Sequence, residues 1–329
     1  MDNGDQASEE MHEQMLERRK GTVLMALVAV IALLLGWHFF SDITSARQWA
    51  VSEEGILEYK VVMPQYNLSP SEDDDNSTLS LVQFQSRDAQ MAALLRIPWP
   101  KFDADGKKES VPGIVLLPGA TVTKEREQKL AKTLADLGFA SITLDQRNLG
   151  GVDAKADLQM FLKGQEPTEH KMVYDALAAA EILRSRPEID PEGIIYAGES
   201  NGGRFAIMAC ALDRAAKGVL AISTCGYGTD AAIASAGVVD KDLVRFYRSI
   251  DPETYLKKIA PRPLVMIHSR NDTIIPYQMA EQTYARGMQP KRLHTVDCAT
   301  HGYCADMNEA IEEELKRLPE CMGEPTRYI

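Results

Sequence analysis

No excess of basic over acidic residues, no Cys-x-x-Cys pair and no internal repeat of solenoid or propeller length occurs in this chain, and each absence removes a class of function. With 36 basic against 48 acidic residues the formal net charge is -12, the wrong sign for a surface that must neutralise phosphates, so no nucleic-acid partner is expected. The five cysteines, Cys210, Cys225, Cys298, Cys304 and Cys321, lack the spacing of zinc sites, and no metal site is expected. Asp103-Ala104-Asp105-Gly106 resembles the start of a calcium loop but lacks the later ligands, and reads as a hairpin turn. The acidic run Glu72 to Asp75 reads as a solvated loop.

Long hydrophobic runs are scarce as well, with one exception. Thr22 to Phe40 is apolar apart from Gly36, His38 and the opening threonine, and has no polar face. As a helix it is long enough to cross a hydrocarbon core of about 30 Å. Arg18, Arg19 and Lys20 precede it, whereas only Arg47 follows closely, which places the N-terminus in the cytoplasm. The competing reading is a cleaved signal peptide with Thr44-Ser45-Ala46 as its small-residue site. The expected organisation is a cytoplasmic tail (1–21), a signal-anchor helix in the lipid bilayer (22–40) and an extracytoplasmic domain (41–329), whether periplasmic, cell-surface or lumenal.

That domain opens with strand-like segments at Leu57 to Met63 and Leu79 to Pro98, which read as an antiparallel edge. From Val111 the pattern changes to short apolar runs alternating with helix-period segments, as in a mostly parallel sheet covered on both faces. The expected strands are Ile114–Leu117, Ala140–Leu144, Gly193–Ala197, Val219–Ser223, Leu264–His268 and Arg292–Val296. Leu130, Leu134 and Leu137 form one helical stripe, and Val173, Ala176, Leu177, Ala180 and Leu183 another. Residues 226–258 interrupt the rhythm and read either as a small cap or as a long connection.

Gly198-Glu199-Ser200-Asn201-Gly202-Gly203 lies directly between an apolar strand and a helix-forming run, where a G-x-S-x-G match points to a nucleophilic serine on a sharp turn. The position of Ser200 at a helix N-terminus puts the Asn201 amide where it can donate to an oxyanion. A serine hydroxyl needs a base, and six histidines are available. His12 and His38 fall in the tail and the apolar run, His170 at a helix start, and His268 and His294 within strands. His301, in a loop after the last strand, is the candidate base. The orienting carboxylate is expected between the two in chain order, and Asp272, just past an apolar strand, fits, with Asp297 in reserve. The second oxyanion donor is expected after the first central strand, at Ala120 with Thr121 next. Cys298 and Cys304 bracket His301, so a disulfide would stiffen its loop in an oxidising compartment; buried free thiols are the alternative.

These motifs, with His268 to Pro276 around Asp272, Ala299-Thr300-His301-Gly302 and Leu144 to Gly150, resemble the α/β-hydrolase superfamily from about Val51 to the end, particularly its dienelactone hydrolase-like and prolyl oligopeptidase-like branches. Many relatives have His-Gly where this chain has Pro118-Gly119, and the stretch before Val111 is too short for a propeller domain. The resemblance implies a serine hydrolase of carboxylic esters, acting on a small-molecule ester or short peptide without metal or organic cofactor. A peptidase or amidase with the same triad is one alternative. A catalytically silent anchored binding protein is the other.

Overall fold

A computed structural model of the chain describes residues 48–102, 105–106 and 108–320. The expected tail (1–21), the segment 22–40, Asp103, Ala104 and Cys321 lie outside the described residues. Among the described residues no helix is long and apolar enough to cross a membrane.

Among the described residues there are twelve strands. β1 (Trp49–Val51) and β2 (Leu57–Tyr59) pair with each other. The other ten form one sheet: β3 (Tyr66–Leu68), β4 (Glu72–Asp74), β5 (Ser77–Ser86), β6 (Ala89–Pro98), β7 (Val111–Leu117), β8 (Ala140–Leu144), β9 (Ile189–Glu199), β10 (Val219–Ile222), β11 (Leu264–Ser269) and β12 (Lys291–Val296). The order is β12-β11-β10-β9-β7-β8-β6-β5-β3, with β4 pairing β5. β7 to β12 run parallel to one another and β3 to β6 are antiparallel, so the expected mostly parallel sheet is present with an antiparallel flank. The chain passes from β7 to β8 on one side and returns to β9 on the other. This reversal places a topological switch point at the carboxyl ends of β7 and β9, where open α/β sheets bind ligands.

The stretches 114–117, 194–197, 219–222 and 264–267 of the central strands are apolar at every position because both faces are covered, and successive side chains point to opposite sides. Ile114, Leu116, Ile195, Ala197, Leu220, Ile222, Val265 and Ile267 join one core with Leu130, Ala131 and Leu134 of α1 (Gln128–Asp136) and with Met307 and Ile311 near the C-terminal end. Their neighbours Val115, Leu117, Ile194, Tyr196, Val219, Ala221, Leu264 and Met266 join the other. There the stripe Val173, Ala176, Leu177, Ala180 and Leu183 is buried along one long helix, and its alanines allow close approach to the sheet. Burying each Leu or Ile in these cores stabilises the fold by about 1.5–3 kcal/mol.

Between β8 and β9 lie α2 (Ala154–Leu162) and that long helix, α3 (Thr168–Arg184); α4 (Asn201–Leu212) follows β9. The segment 226–258 contains α5 (Thr229–Ala236), α6 (Lys241–Ile250), in which the Asp240 carboxylate caps the amides of Asp242 and Leu243, and the start of α7 (Leu256–Ile259). α8 (Tyr277–Arg286) joins β11 to β12, and α9 (Asn308–Glu320) ends the described chain.

Two readings of the N-terminal half are corrected. Glu72 to Asp75 is not a loop throughout, because Glu72–Asp74 forms β4 and pairs antiparallel with β5. Asp74 is held there by Arg96, a buried guanidinium on β6, at 2.9 Å, and by Lys132; these donors keep its carboxyl below the usual range. Leu79 to Pro98 is not one strand but the hairpin β5–β6, turning at Arg87 and Asp88.

Candidate active site

β9 turns into α4 at Ser200, whose φ of 52° and ψ of -121° form a conformation that a residue with a side chain rarely adopts. Backbone contacts force it. A Cβ on Gly202 would overlap the carbonyl oxygens of Leu117 and Pro118, and one on Gly198 would come within 2.5 Å of the Gly202 carbonyl. Only glycine at both positions lets α4 sit directly on the loop after β7. The turn is pinned further by the Ser200 amide donating to Ile222 O (2.9 Å) and by Thr224 Oγ1 donating to Ser200 O (2.6 Å).

The carboxyl ends of β11 and β12 deliver the other two candidates. Asp272 Oδ2 lies 2.8 Å from His301 Nδ1, while Asp272 Oδ1 accepts the amides of Ile274 and Ile275, each at 2.9 Å. Burial raises the pKa of this carboxyl, but the Ile275 amide, His301 and the Ile274 amide outweigh it and hold Asp272 below its ordinary value, in its charged form. Its acceptor role fixes Nδ1 of His301 as the protonated nitrogen and leaves Nε2 with its lone pair free. Nε2 is buried without a hydrogen-bond partner. The structure thus brings Asp272 and His301 together, and it does not join His301 to the Ser200 hydroxyl by a hydrogen bond. In unliganded enzymes such bonds often tighten only when substrate is present.

Cys298 and Cys304 form a disulfide across the His301 loop, with Cα atoms 6.5 Å apart, whereas Cys210 and Cys225 are buried thiols. His268, expected to be a packed histidine, lies in β11 with Nε2 2.8 Å from the Ile275 carbonyl and 3.5 Å from Asp272; burial lowers its pKa. His170 is fully buried against Ser249, and burial pushes its pKa down to about 3, too low for a base at neutral pH. His294 bonds Glu314 at 2.7 Å, and Glu313 lies close enough to complete a ligand cluster, but Glu314 is already committed to Arg292 as well.

On the oxyanion side, a Cβ on Gly119 would lie 3.3 Å from Ser200 Cβ, so the loop after β7 runs directly past the serine. The Thr121 amide donates to Leu149 O at 2.6 Å, which removes it from contention and leaves Ala120 as the candidate. The Leu144 to Gly150 loop buttresses this region. Gln146 donates to Pro118 O, Asn201 Nδ2 donates to Gly150 O (3.0 Å), and Arg147 Nε donates to Asp175 (2.7 Å).

Sequence reasoning missed the groups that hold the His301 loop from below. Glu199 Oε2 accepts the Tyr303 amide at 2.7 Å, joining the residue before Ser200 to the residue two after His301. Behind it lies Glu127, 4% exposed and hydrogen-bonded to Glu199. Burial and the adjacent Glu199 charge push the Glu127 carboxyl up to about 9, so Glu127 keeps its proton at neutral pH. The motif named Glu199 without giving it work, and no local signal marks Glu127. Arg204 was also missed; it donates to Asn201 Oδ1 and Tyr227 and stacks 4.3 Å from the Tyr227 ring.

A family model described as acetyl xylan esterase (AXE1) matches residues 105–272, the stretch that contains the loop after β7, Ser200 and Asp272. Among curated proteins the chain is 28% identical over 141 residues to the uncharacterized protein YfhR of Escherichia coli (strain K12), covering 41% of this chain and 47% of that one. The chain therefore spans about half the length of curated relatives of this kind. Among solved structures, acetyl xylan esterase from Paenibacillus sp. R4 superposes with a TM-score of 0.62 at 18% identity, covering 78% of this chain and 89% of that one. Acetyl xylan esterase 1 from Thermoanaerobacterium sp. JW/SL YS485 does so with a TM-score of 0.59 at 15% identity, with the same coverage of 78% and 89%. At these identities the structural likeness speaks to the α/β-hydrolase fold.

Proposed function

Because the chain belongs to the acetyl xylan esterase (AXE1) family, we propose that it hydrolyses carboxylic esters through an acyl-enzyme intermediate formed on Ser200. His301 Nε2 takes the Ser200 proton as the hydroxyl oxygen attacks the ester carbonyl, and Asp272 stabilises the imidazolium. The Asn201 and Ala120 amides hold the oxyanion. His301 returns the proton to the leaving alcohol, then activates the water that releases the acid. The observation that carries the reading is the 2.8 Å Asp272–His301 bond, which leaves Nε2 unpartnered on a loop tied through Glu199 to the Ser200 turn.

The test is turnover of p-nitrophenyl acetate by the full-length protein, with labelling by an organophosphonate located by mass spectrometry. Turnover and a Ser200 adduct, both absent from Ser200→Ala, are expected. Folded wild type that neither turns over nor labels would favour a binding protein instead. An aminoacyl p-nitroanilide assayed in parallel separates ester from amide hydrolysis.

Residues 22–40 are proposed to anchor the domain in a bilayer with the N-terminus cytoplasmic, on the strength of the apolar run and the preceding Arg18, Arg19 and Lys20. Resistance to alkaline extraction, with protease reaching the domain only from the extracytoplasmic side, is the expected result. A protein released by alkali would refute the anchor.

A further inference from the structure

The segment after Gly226 forms a groove of about 530 Å³. Its walls come from α5, from Val238 and α6, and from the 152–154 stretch that follows the Leu144 to Gly150 loop. Of the ten lining residues none is charged, and only Thr229 and the hydroxyls of Tyr227 and Tyr247 are polar. The volume falls in the range of small-molecule sites. Val152, Tyr227 and Tyr247 are 37–39% exposed at its rim, so the apolar surface is open to solvent rather than packed away.

Hydrogen bonds tie the walls of the groove to the turn. Asn201, next to Ser200, is tied through Gly150 O to the loop that leads into Val152, and through Arg204 to Tyr227, another lining residue. The charges next to the lining residues are engaged elsewhere: Arg204 donates to Cys225 O (2.9 Å) and Asn201 and lays its face on the Tyr227 ring, and Asp251 accepts the Tyr227 and Thr229 amides. A polar sugar ring in the groove would leave hydroxyls without partners. An aliphatic chain would meet only matching surface.

We infer that this groove receives the acyl chain of the substrate, making the protein an esterase for medium-chain aliphatic esters rather than for acetate alone. The inference rests on Ser200 being the nucleophile. Each methylene that enters the groove raises kcat/KM about three- to four-fold until it is full. Ala232 and Ala236, one turn apart on α5, line the groove and are exposed, so tryptophan there fills it without disturbing a core. Ala234, also exposed on α5 but outside the lining, supplies the control.

The experiment measures kcat/KM for p-nitrophenyl acetate, butyrate, hexanoate and octanoate with the full-length protein and the variants Ala232→Trp, Ala236→Trp and Ala234→Trp. The expected result is at least a ten-fold rise from acetate to hexanoate in wild type and in Ala234→Trp. In the two groove-filling variants that rise disappears while acetate turnover is retained. Acetate turnover with a flat or falling wild-type series, or a rise that survives both groove-filling variants, would overturn the groove assignment and leave the hydrolase reading standing. A second readout titrates octanoate into Ser200→Ala and follows tyrosine fluorescence. Saturable binding that is lost when Ala232→Trp is added supports the groove even if no ester is turned over, a pattern that would sink the hydrolase reading alone. Absence of binding together with absence of turnover overturns both.

Discussion

The His301 loop is held on two flanks by buried carboxyl groups, and the two flanks work differently. On one, Asp272 receives two amides and an imidazole N–H, and these donors keep it ionised despite its burial. On the other, Glu199 receives the Tyr303 amide while leaning on Glu127, which has so few donors that it retains its proton up to about pH 9. The first arrangement sets a negative charge against a histidine proposed to become positive. The second supplies an acceptor to a backbone amide and needs one neutral partner to avoid repulsion. Environments that push neighbouring carboxyl groups apart in pKa are a usual way of assigning them different roles.

The contrast is broken most severely on the Asp272 side. Asp272→Asn, in a protein that melts normally, is expected to lower kcat on p-nitrophenyl esters about 10³–10⁴-fold, because the amide no longer fixes the His301 tautomer. A loss of only a few-fold would transfer the orienting role to another carboxylate such as Asp297. Glu199→Ala should act through loop position alone, lowering kcat about 10- to 100-fold with KM little changed. Glu199→Gln keeps an acceptor for Tyr303 and should recover most of that loss. Equal damage from both variants would show that the charge, rather than the acceptor, matters.

Glu127→Gln sharpens the comparison through pH. Since the folded-state pKa is raised from the ordinary 4.5 to about 9, the folded protein binds more protons than the unfolded chain between those values. Stability from this group is therefore full below about pH 4.5 and falls as pH rises towards 9. A permanently neutral Gln removes that slope, so thermal melts should show Glu127→Gln gaining Tm over wild type progressively from pH 5 to 9. Burial raises Glu166 and Glu169 to about 7 and 8, and these should leave part of the slope in place. A gain independent of pH would argue against a proton held on Glu127. The smallest effect expected is from replacing Cys298 and Cys304 together by serine, because their sequence separation of six closes only a short loop. Stability should drop by about 2 kcal/mol or less, with activity reduced a few-fold.

How much of this could be read from residues alone varied with the kind of signal. Most of the parallel strands carry short apolar runs because both faces are buried, with the half-buried β12 the exception, and each is legible to within a few residues. Gly198-Glu199-Ser200-Asn201-Gly202 was legible because the turn excludes side chains at fixed positions, an exclusion written directly into sequence. The β5–β6 hairpin was not legible, since its turn uses Arg87, with φ 52°, and Asp88 rather than Asn-Gly, and Asp88 is tied by distant Arg147 and Lys171. Glu127 was invisible for a related reason. Its character comes from Glu199, which lies next to it in space and far from it along the chain, and an isolated Glu in a helix-forming stretch reads as surface. The segment 226–258 was seen as an interruption, but which of its small residues line a groove depends on how α5 faces α6.

The residues proposed to make and break bonds hang from β7, β9, β11 and β12, whereas most of the groove hangs from the single connection between β10 and β11. A contiguous stretch of about thirty residues can therefore be exchanged in one genetic event without moving a strand that carries the chemistry. Lineages sharing this scaffold can diverge in what they digest while keeping how they digest it, and a graft of 226–258 between relatives is the natural unit for engineering that divergence.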